Sequence, residues 1–216
     1  MRTRPIVLFV GFLSSLAPAG PVRGGIVTYT DLDEWRAAAA GVGTGVVTEI
    51  DFATLPNGLP TPFEERVLIT PEFNYTEQGV TFSTPVPELR VWDCAICDGG
   101  VLDAQDVILG SSGRNWIIAH FVEPAAAVGI VSGGHTTLSL YDDEGTLIAE
   151  ALLTGGGTGL FVGIVSDIPI ASGAVDRGAS FEILDSFHFT PVPEPATLLL
   201  LGAGEIALMA RKARKG

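Results

Sequence analysis

Along most of the chain, apolar and polar residues alternate in short runs separated by turn residues. Thr137-Leu138-Ser139-Leu140-Tyr141 alternates with period two, the pattern of a strand with one buried face. Asp142-Asp143-Glu144-Gly145 then reads as a hairpin turn into a second strand over 147–153. Residues 26–29, 46–52, 79–83 and 89–92 are further short strand candidates. Residues 115–121 and 127–131 are continuous apolar runs and predict strands that are fully buried. A strand over 160–165 follows the Gly155-Gly156-Gly157 turn, and Phe181, Ile183, Phe187 and Phe189 share one face of a last strand. Pro56, Gly58, Pro60 and Pro62 predict a long loop over 53–66.

Helical spacing appears once ahead of the C-terminal tail. Asp31 is a good N-cap with Glu34 three residues on, and Leu32, Trp35 and Ala39 fall on one face. Gly41 and Gly43 stop the helix. Roughly ten short strands with one early helix predict a mainly β fold, a jelly-roll-like β-sandwich over residues 26–190.

Both ends of the chain break this pattern. Arg2 and Arg4, an apolar stretch over 6–16 and Ala17-Pro18-Ala19 have the order of a signal peptide over residues 1–19. The apolar stretch is short for a membrane span. At the other end, Pro193-Glu194-Pro195 is followed by an apolar run from Ala196 to Ala210, interrupted by Glu205, and by the basic residues Arg211, Lys212, Arg214 and Lys215. A rigid proline spacer, a single apolar helix and a basic stop place the basic end in the cytoplasm and the domain outside. Some 15 helical residues reach about 22 Å, short of the ~30 Å hydrocarbon core, which suits transient insertion and removal better than a permanent anchor.

This ending resembles the PEP-CTERM sorting signal of exopolysaccharide-producing Gram-negative bacteria, over residues 191–216. The resemblance implies that an exosortase-type membrane protease recognises Pro193, Glu194 and Pro195 and cuts near them. It also implies delivery to the cell surface, the outer membrane or the extracellular matrix. Glu205 departs from the signal, since the family usually has Gly, Leu or Ala there. The segments Thr30–Trp35, 50–52, 78–82, 138–142 and 184–189 also resemble motifs of domains that commonly precede this signal, which implies a sandwich related to carbohydrate-binding modules and no particular activity.

Composition sharpens the picture. A chain of 216 residues with 47% hydrophobic and 17% charged residues builds one core and is not disordered. Its 27 Gly and 14 Pro favour turns and short strands. The net charge is −13, unevenly spread. Only Glu194 and Glu205 of the 25 acids lie outside residues 20–190, and six of the twelve bases lie at the two ends, so that segment sets 23 acids against six bases. Nucleic acid is excluded as a partner, because a phosphate backbone needs a basic patch. An anionic membrane surface would repel the domain as well.

Candidate chemistry is sparse. Cys94 and Cys97 form Cys-x-x-Cys; a structural zinc site needs four ligands, and neither a second Cys pair nor a suitably spaced His supplies them. Gly99-Gly100 argues against the strand-to-helix junction of a redox motif, which leaves a local disulfide in an exported chain as the simplest reading. Asp98, Asp103 and Asp106 share a Gly-bounded loop and are candidate ligands of a structural Ca²⁺, as are Asp142, Asp143 and Glu144, though neither set has EF-hand spacing. No other cofactor is expected. The sequence has no G-x-S-x-G, H-E-x-x-H or P-loop, and adjacent Glu64 and Glu65 are poorly placed to flank a sugar.

Trp92, at a strand end beside the Cys loop, is the best sugar-stacking candidate. Tyr29, Tyr75 and Tyr141 are lesser ones, and Trp35 and Trp116 are expected in the core. Asn74-Tyr75-Thr76 is a sequon that would place Asn74 on the surface. The expectation is an exported non-enzymatic envelope or matrix protein. The alternatives are a module that binds exopolysaccharide, with or without calcium, and a glycan hydrolase.

Overall fold

A computed structural model describes residues 25–62, 65–85, 88–93, 107–111, 116–155, 159–176 and 183–193, and among these described residues it shows eleven strands and one α-helix. In chain order the elements are β1 (Val27–Tyr29), α1 (Leu32–Ala39), β2 (Thr48–Ile50), β3 (Val67–Ile69), β4 (Val80–Ser83) and β5 (Leu89–Asp93). Then come β6 (Val107–Ser111), β7 (Ile117–Ser132), β8 (Thr137–Tyr141), β9 (Leu147–Leu152), β10 (Leu160–Asp176) and β11 (Ile183–Pro191). Every pairing between strands is antiparallel.

The long strands β7 and β10 belong to two layers at once. Their register breaks between Val165 and Ser172 of β10, opposite Ala127 and His120 of β7. There, residues 166–169 and 121–124 are looped out, with Pro169 and Pro124 among them. A proline has no amide to give a ladder, so it is tolerated at such a bulge and turns the strand out of the sheet. Beyond the corner, the first layer runs β3-β5-β6, with β2 also on that side of β11, and continues through β11, the second half of β7, the first half of β10 and β1. Before it, the second layer runs β4, the first half of β7, the second half of β10, β8 and β9. Strands that switch layers at bent corners are how two sheets meet in such a sandwich.

Aromatic side chains fill the space between the layers. Phe82 of β4 meets Phe187 of β11 at 5.2 Å between ring centroids, and Phe121 at the corner meets Phe189 at 5.3 Å. Ile130, Leu138, Leu140, Val175 and Leu184 are fully buried among them.

The outer face of the first layer is covered too, by α1. Asp31 caps this helix, its Oδ1 accepting from the amides of Asp33 and Glu34 at 2.9 Å. Trp35 is fully buried and stands 5.6 Å from Phe161. The two rings rest on Gly129 and Gly163, which face each other across β7 and β10. A Cβ on Gly163 would lie 2.5 Å from Trp35 Cδ1, and one on Gly129 would lie 2.8 Å from Phe161. The glycines are therefore required by the close approach of the indole to the sheet.

The fold is mainly β, and several details depart from the sequence reading. The runs 115–121 and 127–131 are one strand, not two, and the 160–165 strand continues to Asp176. β2 is shorter than its 46–52 expectation. β3 and β6 carried no readable signal. Trp116 is not core: it is 47% exposed just ahead of β7. In β11 a register shift between Leu184 and Ser186 changes the alternation, and Phe187 and Phe189 still end up inside.

Candidate functional site

Two places in the described fold bring polar or apolar groups together in a way that invites a function. One lies on the outer face of the first layer, under α1. Phe187 and Phe189 point into the core, so Ser186 and His188 point outward, where the helix covers them. Ser186 Oγ and His188 Nε2 share a hydrogen bond of 2.9 Å. Across β2, Glu49 Oε2 lies 3.9 Å from His188 Nδ1 and accepts from Arg36 of α1 at 2.8 Å. His188 is packed edge-on against Trp35 and Phe161, with ring centroids 5.9 and 6.2 Å away.

Serine, histidine and carboxylate in this order have the outline of a nucleophile, its base and the group that orients the base. The chemistry does not follow. Burial, reinforced by the nearby Arg36 charge, pushes His188 down to about 4, so it is neutral at ordinary pH and a feeble base. Glu49 is too far from Nδ1 for a hydrogen bond, and that nitrogen has no hydrogen-bond partner. Both Ser186 and His188 are buried. The cluster joins α1, β2 and β11 as a structural polar contact. The sequence showed its Ser-x-His spacing, but not that a helix some 150 residues earlier covers that face.

The second place is the end of the fold where β11 stops. An apolar groove of about 650 Å³ runs there between α1, β1 and the chain leaving β11, lined by Val27, Tyr29, Ala38, Val165, Val192 and Pro193 among others. Val192 donates its amide to Pro124 O at 2.7 Å, and Thr44 donates to Pro191 O at 2.8 Å. Gly43 has a left-handed φ of +55° and passes so close that a Cβ there would meet Pro191 O at 2.4 Å. Pro193 of the proline motif is thus part of the domain surface. Glu194, Pro195 and the basic residues Arg211, Lys212, Arg214 and Lys215 lie outside the described residues, as does the 1–19 segment. No helix among the described residues is long and apolar enough to cross a membrane.

The other sequence candidates scatter. Cys94, Cys97, Asp98, Asp103 and Asp106 fall in the stretch outside the described residues that joins β5 to β6; its flanking residues Asp93 and Val107 face each other in the ladder. Trp92 stands opposite Ile108 in that ladder, with its side chain outside the description. Asp142, Asp143 and Glu144 come together, each offering a carboxylate oxygen within 4.8 Å of the others. Asp142 is also the turn former, accepting from Thr146 N at 2.7 Å. A hydrogen bond that the protonated Glu144 carboxyl donates to Asp143, with the Asp143 and Asp142 charges, raises that carboxyl above its usual range.

Two readings of single residues are corrected. Tyr75 is buried, its hydroxyl donating to Thr54 O at 3.2 Å, and burial with the Asp51 charge pushes its ionisation up; it is no platform for sugars. Asn74 is not a free surface amide. Its Oδ1 accepts from Tyr75 N and Phe82 N at 3.0 and 2.8 Å, and its Nδ2 donates to Thr70 O and Phe82 O at 3.3 and 2.7 Å. A glycan on Nδ2 would break a staple that holds the 70–78 turn to β4.

Residues 191–215 match the family described as PEP-CTERM protein-sorting motif. The match covers the C-terminal segment alone. No curated protein matches the chain. Among solved structures, a mutant of the lectin-binding domain of lectinolysin, complexed with Lewis b, is similar at 11% identity and a TM-score of 0.32, covering 39% of this chain and 72% of that one. The enzymatically active domain of tailspike protein 4 of bacteriophage CBA120 is similar at 11% identity and a TM-score of 0.28, covering 51% of this chain and 19% of that one. Likenesses this slight carry no argument about ligand or chemistry.

Proposed function

We propose that this chain is an exported, non-enzymatic protein of the cell envelope or extracellular matrix, delivered by removal of its C-terminal tail. The sorting motif over 191–215 carries this reading. It marks an exported protein that an exosortase-type membrane protein processes, bound for the cell envelope or surface. The position of the motif supports the reading: β11 ends at Pro191, and the motif begins at that same residue. Cutting beyond Pro193 would therefore leave the sandwich intact. The burial and low basicity of the Ser186–His188 pair support a non-enzymatic role.

Replacing Pro193, Glu194 and Pro195 together by Ala tests the reading in a host that has the sorting machinery. The parent chain should lose its tail and leave the inner-membrane fraction, while the variant keeps the tail and stays there. Identical length and location for the two chains would overturn it.

A second reading, a module that binds exopolysaccharide, is favoured by Trp116. Its indole is 47% exposed, and such a ring offers the flat apolar face on which a sugar stacks. Calcium held by Asp98, Asp103 and Asp106 would belong to this second reading. Titration with the host's own polysaccharide tests it: Trp116→Ala should weaken binding about tenfold, or 1.4 kcal/mol. No binding by the parent chain ends it.

A further inference from the structure

We propose that the end of the fold from which the tail departs is a membrane-seating face. While the tail is inserted, the exposed side chains of Ile26, Val46, Val122 and Ile168 lie on the outer surface of a bilayer of net-neutral lipid. This rests on the reading of the tail as a membrane-inserted segment.

Reach makes the contact unavoidable. The backbone is pinned to the domain as far as Val192 by its bond to Pro124 O, and Pro193 lines the surface groove. The apolar run begins at Ala196. Three residues span at most about 10 Å even when fully extended, and the prolines at 193 and 195 stiffen them further. A run buried in hydrocarbon therefore holds this end of the sandwich against the lipid headgroups.

That end is dressed for the position. Nine large apolar side chains are exposed among the described residues, and four of them belong to segments that border the exit point. Ile26 and Ile168 flank residues that line the groove with Val192 and Pro193. Val122 shares a small depression with Pro191, and Val46 follows the loop whose Thr44 donates to Pro191 O. Val46 is 65% and Val122 58% exposed. Single exposed apolar residues are ordinary, but four of them on the segments at the point of tethering are not scattered.

Charge selects the lipid. No Lys or Arg occurs in residues 25–27, 41–46, 122–126, 165–169 or 189–193, whereas Glu123 and Asp167 are exposed there. A zwitterionic headgroup layer accepts such a surface, and an anionic one repels it. A second copy of the chain or a protein partner on the same face would be the rival occupants.

The test uses the full chain with phosphatidylcholine vesicles. Benzoylphenylalanine is placed singly at Val46, Val122 or Ile168, and at His135 as a control. His135 follows Ser132, which is seven residues along β7 from Ala125 and so about 23 Å from the corner. The chain should float with the vesicles, and photolysis should give lipid adducts at the three rim positions at least about tenfold above those at His135. Val46→Ser with Val122→Ser should leave flotation unchanged and cut the adducts at Ile168 severalfold. Flotation with equal adducts at all four positions, or with adducts to a second copy of the chain, overturns the seating face and leaves the tail reading intact. Failure to float defeats the tail reading, and the seating face falls with it.

Discussion

The two halves of β7 have the same backbone and different environments. Before the corner, Ile117 and Ala119 are buried while Ile118 is only half-buried and His120 is exposed. After it, residues 125–130 are buried without interruption. The first half has the core on one face and solvent on the other. The second is squeezed between the core and α1. One-sided cover gives an alternation that can be read from the sequence. Two-sided cover gives an apolar run that says "buried" without saying by what. The same contrast divides β10, where residues 161–166 are buried in a row and the segment after the corner is mixed.

The contrast can be broken most strongly at Trp35. Trp35→Ala removes the side chain that seals the outer face and should cost about 3–5 kcal/mol in urea unfolding. Leu152→Ala, on the open face of the second layer at 57% exposed, should stay within about 0.5 kcal/mol. Equal losses would mean that the helix does not seal the first layer.

His188 should make the same region pH-sensitive. Its folded value lies near 4, against 6.5 for an ordinary histidine. The unfolded chain therefore takes up a proton in that window and the folded one does not. Stability is complete above 6.5 and falls by about 3 kcal/mol as pH drops through 4. In stability curves measured against pH, His188→Gln should remove that part of the slope. An unchanged slope would show that the imidazole charges in place, with Glu49 as partner.

A glycine pair sharpens the comparison further. A Cβ at Gly163 meets Trp35 at 2.5 Å and Phe161 at 2.7 Å, whereas one at Gly173 in the second layer comes no closer than 3.1 Å, to Leu140 Cδ2. Gly163→Ala should cost about 2 kcal/mol through overpacking, and Gly173→Ala clearly less. Thermal melts of the two variants decide between them. The smallest effect belongs to the exposed 142–144 turn. Asp143→Asn should leave the melting temperature unchanged while the Glu144 carboxyl, followed by NMR titration, returns toward its ordinary range.

What could be read from the chain follows the same division. The period-two pattern of Thr137–Tyr141 is strand β8, and Asp31 is the cap it resembled. Pro124 lies between the apolar runs 115–121 and 127–131. In the fold it sits in a bulge that the paired strand β10 carries across, so a local stop signal lost to long-range pairing. Val67–Ile69 is too short to show a period. Ser186 and His188 alternate with Phe187 and Phe189 and so lie on the face away from the core, where a helix distant in the chain covers them. The candidate site divides likewise. The sorting motif is a linear signal and was legible in full. The apolar rim around Pro193 is assembled from four separate segments, and no local pattern announces it.

The most direct measurement is terminal-peptide mass analysis of the protein recovered from surface and medium fractions of a host with the sorting machinery. The expected product is a mature chain that begins near Gly20 and ends near Pro193, with the whole sandwich retained. A chain recovered in the membrane fraction with residues 196–216 still attached would contradict it.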